Sequence, residues 1–304
     1  MIKIKNKLGK TRIYFKQFKK NKIYKEKFST IKFPTQINKF NYGGLRLKNL
    51  FKNNIKNKPL ISIIMPNFKC KDLKTAIESV LDQKYENLEL IIIDGHSGPD
   101  TLKILKFYEK DIDIWISEKD NGMWDAWNKG YKLANGKYVG IVDSSNILYK
   151  DSMTILSKYI NKKNYDFICG TVKKDNKIYA GFRPHDIKRQ FNIIPSSVVG
   201  FFIKLNSLKK VGLLNIKYKI QADYDLLYRI IVINKMVGKS TKSNEIFGDL
   251  GNSGFSSRHS FFYKLKNEIL IRYRNKQNII SLFYIISGRI IIKFLKVIMK
   301  IKFF

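Results

Sequence analysis

The sequence predicts an α/β fold with a mostly parallel central sheet flanked by helices. Two observations carry that prediction. Short, almost wholly apolar runs alternate with amphipathic helical stretches between residues 60 and 142, and each apolar run stops at a polar cluster. The 304 residues are 44% hydrophobic and 13% aromatic, enough for a sizeable core in one large domain or two small ones.

The first run is Leu60-Ile61-Ser62-Ile63-Ile64-Met65, stopped by Pro66-Asn67. An unalternated run of that length suits a parallel strand buried on both faces. Leu73, Ile77, Val80 and Leu81 then recur at helical spacing over residues 72–81, with Asp72 placed as the N-cap. Residues 88–93 read as the second strand, ending at Asp94-Gly95-His96-Ser97-Gly98. Residues 101–108 read as a helix, 112–116 as the third strand, and 123–134 as a helix closed by Asn135-Gly136. Residues 138–142 form the fourth strand, ending at Asp143. Polar residues therefore gather at four strand ends, Pro66-Asn67, Asp94, Glu118 to Asp120, and Asp143. The carboxyl edge of an open α/β sheet is where ligands bind, although Asp and Asn also serve as plain turn and cap residues.

The flanks are less regular. Residues 1–58 read as a basic, extended arm with a turn at Tyr42-Gly43-Gly44-Leu45-Arg46. Beyond residue 160, the segments 165–169, 177–180 and 199–203 suit strands. Residues 223–234 suit a helix with Leu226, Leu227, Ile230 and Ile231 on its apolar face. From Ile279 the chain is dominated by large apolar residues, with Arg289, Lys293, Lys296 and Lys300 on one helical face. The division expected is an arm over 1–58, a central domain over 59–275 and an amphipathic C-terminal helix over 276–304.

The 59 basic against 24 acidic residues give a net charge of +35. Such a field attracts polyanions, but Lys is spread along the whole chain, as drift in composition also produces. No compact nucleic-acid reader motif is present, so nucleic acid is not expected as a partner. The cationic tail instead suits a helix lying at an anionic membrane surface, or alternatively a helix packed on the domain. Cys70 and Cys169 fit neither a disulfide framework nor a metal-ligand spacing, which suits a reducing cytoplasm. The expected location is cytoplasmic, peripheral on the inner face of the cell membrane. No phosphate-binding G-x-x-x-x-G-K-[ST] loop, G-x-G-x-x-G, H-E-x-x-H or nucleophile elbow occurs. What remains is carboxylates at strand ends, which can recognise a base, hold a cation at a diphosphate, or take a proton from a hydroxyl.

Several segments together resemble the family-2 inverting glycosyltransferases of bacterial polysaccharide biosynthesis, which have the GT-A fold. Pro59 to Phe68 resembles the opening strand that usually ends P-T-Y-N, and Ala76-Ile77-Glu78-Ser79-Val80-Leu81-Asp82-Gln83 the helix after it. Leu90-Ile91-Ile92-Ile93-Asp94-Gly95-His96-Ser97 is similar to I-I-I-D-G-G-S. Ile116 to Gly130 is close to I-S-E-x-D-x-G-I-Y-D-A-M-N-K-G, and Ala134 to Gly140 is similar to A-T-G-x-[YW]-[IV]-G. The resemblance spans roughly residues 42–275. It implies a Rossmann-like GT-A domain that moves a sugar from a nucleotide-diphosphate donor, usually a UDP-sugar, to a glycan or lipid-linked acceptor. It further implies that Asp94 reads the base, that Pro66 and Asn67 line that pocket, and that Asp125 and Asn128 face the donor. Ala222-Asp223-Tyr224-Asp225-Leu226 resembles the acceptor-side segment, which makes Asp223 the implied general base; read without the resemblance, Asp223 is a helix cap.

Two departures stand out. The family's D-x-D or N-S-D-D is here Asp143-Ser144-Ser145-Asn146, leaving Asp143 as the implied ligand for Mg2+ or Mn2+. Neutral serine and amide oxygens bind hard cations more weakly than carboxylates. Val198-Val199-Gly200 stands where relatives often carry H-Q before the glycine. The alternative expectation is therefore a weakened or non-catalytic subunit of glycan or membrane assembly on the same fold.

Overall fold

The computed structural model describes residues 2–16, 41–189, 193–251 and 259–301. Strands β1 (Ile2–Lys5) and β2 (Thr11–Lys16) form an antiparallel hairpin. Asn6 and Arg12 anchor it, both donating to the Leu81 carbonyl, at 2.8 Å and 3.0 Å. Strand β3 (Asn41–Gly43) pairs with the third core strand, and β4 (Leu50–Phe51) adds to β2. The described part of the expected arm is thus folded onto the domain; residues 17–40 lie outside the described residues. The turn expected at 42–46 begins two residues later than its first residue. Tyr42 and Gly43 are strand, because a Cβ at Gly43 would lie 2.5 Å from the Trp115 ring and only glycine lets β3 approach so closely. Gly44, at φ 112°, makes the turn.

Four parallel strands make the centre: β5 (Ile61–Asn67), β6 (Leu88–Asp94), β7 (Ile114–Ser117) and β8 (Tyr138–Ile141), in the spatial order β8-β5-β6-β7. Every residue of all four is buried, as their unalternated apolar runs require. The two faces feed two cores. Ile61, Ile63, Met65, Leu90 and Ile92 pack with α1 (Leu73–Leu81) and α2 (Pro99–Phe107). Ile64, Ile91 and Ile93 pack with α3 (Met123–Leu133). Helix α3 lies so close to β5 that a Cβ at Gly130 would sit 2.2 Å from Ile64 Cγ2. Asp72 holds the N-cap position of α1, but its side chain makes no capping bond.

Below this core, two buried ion pairs bolt down the segment 44–52. Lys52 meets Asp113 at 2.7 Å. Arg46 meets Glu89 and also donates to the Leu133 carbonyl at 2.7 Å. Glu89 accepts in addition from Ser62 Oγ at 2.6 Å and the Asn135 N–H at 3.0 Å.

The C-terminal half holds more elements than periodicity suggested. After β8 come β9 (Ile147–Leu148), α4 (Ser152–Lys162), β10 (Phe167–Cys169), β11 (Thr171–Lys174), β12 (Lys177–Tyr179), β13 (Phe201–Lys204) and α5 (Leu205–Val211). Helix α6 (Ala222–Tyr228) continues as a π-helical turn over Arg229–Ile233, so the helix expected at 223–234 changes pitch midway. Strands β14 (Gly238–Ser240) and β15 (Ile246–Asp249) and helices α7 (Phe261–Arg274) and α8 (Ile279–Ile301) follow among the described residues. Among the described residues the central sheet has eight strands, ordered β14-β10-β13-β8-β5-β6-β7-β3, with β13 antiparallel to both neighbours. A second sheet runs β12-β11-β15-β9.

Helix α8 packs on α7 through Leu282, through Arg289, 3.0 Å from Glu268, and through Lys293 over the Phe261 ring. Of the four cations read from the sequence, Arg289 thus pairs toward α7 and Lys293 stays exposed over Phe261, while the side chains of Lys296 and Lys300 lie outside the described residues. The outward face is apolar: Ile280, Phe283, Tyr284, Ile291, Phe294 and Ile298 are all at least half exposed. No helix among the described residues is long and apolar enough to cross a membrane.

Candidate active site

The parallel register sets Asn67, Asp94 and Ser117 side by side at the carboxyl edge of the sheet. Asp94 is fully buried and accepts from Asn67 Nδ2 at 2.7 Å, Ser117 Oγ at 2.6 Å, Ser97 N at 3.1 Å, and Ser97 Oγ. A carboxylate has about four lone-pair sites, so Asp94 is fully engaged within the protein. Asn67 is buried too, yet its Oδ1 has no partner. The Pro66 carbonyl accepts from Ser144 N at 3.3 Å, which ties the turn after β8 to this edge. Phe68 follows, 67% exposed, its ring against the backbone of Gly95. Its signal in the sequence was an aromatic directly after a strand stop, which the reading of the site left out.

A second group surrounds Lys129 on α3. Its ammonium lies 2.6 Å from Glu118, 2.5 Å from Asp120 and 3.6 Å from Asp125. Burial lowers the Lys129 pKa, but Asp120 and Glu118 more than restore it, leaving it above its ordinary value. Burial also raises the Asp120 carboxyl, against the pull of Lys129. Asp125 accepts from the Asn121 N–H at 3.0 Å, closing the turn into α3. Asn128 is buried, with both ends of its amide on the Leu214 backbone, at 2.9 Å and 3.0 Å. That clamp joins α3 to the segment before α6.

The third group joins the two halves of the chain. Asp143 follows β8, and Asp223 opens α6. Burial raises the Asp143 carboxyl to about 7, with the negative Asp223 adding to the shift. Burial raises Asp223 as well, while hydrogen bonds from Ser197 and the Tyr224 N–H pull it back. The buried Tyr131 of α3 feels both carboxylates. Asp143 and Asp223 therefore share one electrostatic site, which periodicity could not show. Gln221, not Asp223, holds the N-cap position of α6. Ser197 Oγ donates to Asp223 Oδ2 at 2.7 Å. The adjoining turn is strained: the fully buried Val199 has φ 60°, a conformation costing about 1–3 kcal/mol for a β-branched residue.

Asp143 has the features of a group that would accept a positive neighbour. Its Oδ1 is buried without a hydrogen-bond partner, and burial together with the negative Asp223 disfavours its ionised form, which a positive neighbour would favour. Asn146 Oδ1 already accepts from Gly251 N at 2.8 Å, which ties it to the backbone and leaves one lone pair for a cation. Among the described residues no group of three or more His, Cys, Asp or Glu is placed to hold a metal. One carboxylate together with phosphate oxygens is nonetheless how Mg2+ is commonly held.

Residues 62–236, more than half of the chain, match the Glycosyl transferase family 2 profile. A curated relative, the Escherichia coli UDP-Glc:alpha-D-GlcNAc-diphosphoundecaprenol beta-1,3-glucosyltransferase WfgD, is 31% identical over 127 residues, 40% of this chain and 50% of that protein. The chain spans about half the length of that relative and a smaller share of others. Among solved structures, S. aureus TarS 1-349 in complex with UDP-GlcNAc superposes with a TM-score of 0.57 at 16% identity, covering 70% of this chain and 66% of that one. The mannosyltransferase PcManGT from Pyrobaculum calidifontis, in complex with GDP-Man and Mn2+, gives 0.52 at 14% identity, covering 73% and 65%. At these identities the two structures speak to the fold, which is GT-A.

Proposed function

Because the chain belongs to glycosyl transferase family 2, we propose that it moves a sugar from a UDP-sugar donor to a growing surface glycan, with inversion at the anomeric carbon. The observation that carries this reading is the link between the segments of Asp143 and Asp223, 80 residues apart: Ser197 donates to Asp223 at 2.7 Å, and Val199, two residues on, donates to Ile141 at 2.7 Å, two residues before Asp143. Asp223 takes the acceptor hydroxyl proton. The acceptor oxygen attacks the anomeric carbon from the face opposite the diphosphate. The bond from that carbon to the phosphate oxygen breaks, and the nucleoside diphosphate leaves with the electron pair. Asp143, with help from Ser145, would hold Mg2+ or Mn2+ against the donor diphosphate, where the ion neutralises leaving-group charge.

Phe68 offers its exposed face to the base. Pro66 and Asn67 line the base pocket, with the unpartnered Asn67 Oδ1 as acceptor for a base N–H and Asp94 fixing that amide. Asp125 and Asn128 shape the donor side through Lys129 and Leu214. The outward apolar face of α8, on a chain of net charge +35, seats the protein on an anionic membrane surface at the cytoplasmic side. This reading gives the positive field to lipid rather than to nucleic acid, and suits an acceptor carried on lipid.

The engagement of Asn146 by Gly251 favours a second reading, a weakened subunit with poor metal affinity. Transfer from UDP-glucose and UDP-GlcNAc to a GlcNAc-diphospholipid, with and without Mn2+, separates the two. The enzyme reading expects product from the wild type. It expects Asp223→Asn to bind UDP, by thermal shift, while losing about 10²–10⁴ in rate. UDP binding without transfer by the wild type to any glycan acceptor, together with a Ser145→Asp variant that gains no Mn2+ dependence, supports the subunit.

A further inference from the structure

Asp223 does not hold its own position. Its Oδ1 accepts the N–H of the next residue, Tyr224, at 3.0 Å, a local bond that leaves the carboxylate free to swing about its side-chain torsions. The longer-range bond comes from Ser197 Oγ, 26 residues away, at 2.7 Å to Oδ2. Ser197 is itself fixed by the turn that follows it. Val199 N donates to the Ile141 carbonyl at 2.7 Å, and Gly200 N closes back on the Val198 carbonyl at 2.5 Å. Ile141 ends β8, two residues before Asp143. The strained Val199 turn therefore ties the Ser197 segment to the strand that delivers Asp143. A buried β-branched residue keeps a left-handed conformation only where its surroundings over-determine it.

We propose that Ser197 is a positioning residue: its hydroxyl, held by the strained turn at Val199, locks the Asp223 carboxylate in register with Asp143. The inference rests on the reading of Asp223 as general base. Ser197 does not touch the reacting atoms. It occupies Oδ2, leaving the remaining lone pairs of the carboxylate for the acceptor proton. Among the described residues the other ionisable groups that interact with Asp223 are Asp143 after β8 and Tyr131 of α3, and neither supplies a positive charge to hold it.

The test uses the full chain and UDP release from UDP-glucose and UDP-GlcNAc in the presence of a GlcNAc-diphospholipid acceptor, which receives the sugar as UDP leaves. Ser197→Ala is expected to lower kcat by about 10- to 100-fold, the range open to one charge-assisted hydrogen bond, with the donor KM changed by no more than about twofold. Ser197→Thr keeps the hydroxyl and is expected to recover most of the rate. Ser197→Val has the same shape without the hydroxyl and is expected to behave like Ser197→Ala. The Thr and Val pair remains informative if the alanine variant fails to fold. Thr and Val variants of equal rate, or an alanine variant as fast as wild type while Asp223→Asn is dead, overturn the positioning role and leave the base reading intact. Full activity in Asp223→Asn, or a wild type that releases no UDP, overturns the base reading and the positioning role with it.

Discussion

Replacing Arg46 by Met removes a guanidinium that is 2% exposed and leaves its partner Glu89, at 0%, without a counter-charge. The methionine fills much of the space, so packing is a minor part of the cost. What changes is the environment of the carboxylate. Glu89 keeps the Ser62 hydroxyl and the Asn135 N–H, two neutral donors, in a site closed to water. The Leu133 carbonyl loses its 2.7 Å donor as well. Breaking one side of a buried pair costs about 3–5 kcal/mol, a large share of the roughly 5–15 kcal/mol by which domains are stable. The assay is urea unfolding of wild type, Arg46→Met, Glu89→Gln and the double variant. The double variant should be closer to wild type than Arg46→Met is, because a buried amide needs no counter-ion. If Arg46→Met loses less than about 1 kcal/mol, or the two changes simply add, segment 44–52 is not bolted to the domain by this pair.

Other consequences are open to measurement. Gly130→Ala places a Cβ 2.2 Å from Ile64 Cγ2 in a fully buried strand, so α3 must shift; a loss of about 1–3 kcal/mol in unfolding free energy is expected, and an unchanged midpoint would refute the close approach. Truncation after residue 278 should abolish sedimentation with phosphatidylglycerol vesicles while UDP still raises the melting temperature; persistent vesicle binding assigns the membrane contact to the net charge instead. Lys129→Met should destabilise the protein at neutral pH. Because the folded pKa of Lys129 is raised, its contribution is present below the unfolded value near 10.5 and fades as pH climbs through the higher folded one, so the gap to wild type should close only at strongly alkaline pH. Asp94→Ala frees the Asn67 amide and should weaken UDP binding by about 0.5–1.5 kcal/mol, and it should also lower stability, since Ser117 and Asn67 lose their acceptor; a folded variant of unchanged UDP affinity removes Asp94 from the support of the base pocket.

The parts of the fold legible in the sequence were those whose signal is local. Strands β5, β6 and β8 and helices α1 and α3 follow from runs and periods within a few residues, and the chain reads correctly there to within a residue or two. The arm did not. Arg46 and Lys52 look like two more surface cations until Glu89 and Asp113, 43 and 61 residues away, are brought against them. Helices α4, α5 and α7 and strands β9, β11, β14 and β15 were missed because β-branched, polar and basic residues blur the helical periods and the strands are too short to show one. The site divided along the same line. Strand-end carboxylates were visible as residue types at turn positions, but their partners were not. Asn128 proves to clamp Leu214, and Ser197, one serine among many, gains meaning only from the 2.7 Å it keeps to Asp223.

The antiparallel insertion of β13 between β10 and β8 has a consequence for how the chain is made. As synthesis proceeds from the N-terminus, residues up to 141 already contain β3, β7, β6, β5 and β8, more than half of the central sheet. The free side of β8 then has no neighbour until residues 201–204 leave the ribosome, some 60 residues later. At about 5–20 residues per second that edge stays open for several seconds, presenting unpaired N–H and carbonyl groups on a strand of wholly buried character. The half-made sheet is the species a nascent-chain chaperone would have to guard. The candidate base, arriving still later on α6, is delivered only once that guard is no longer needed.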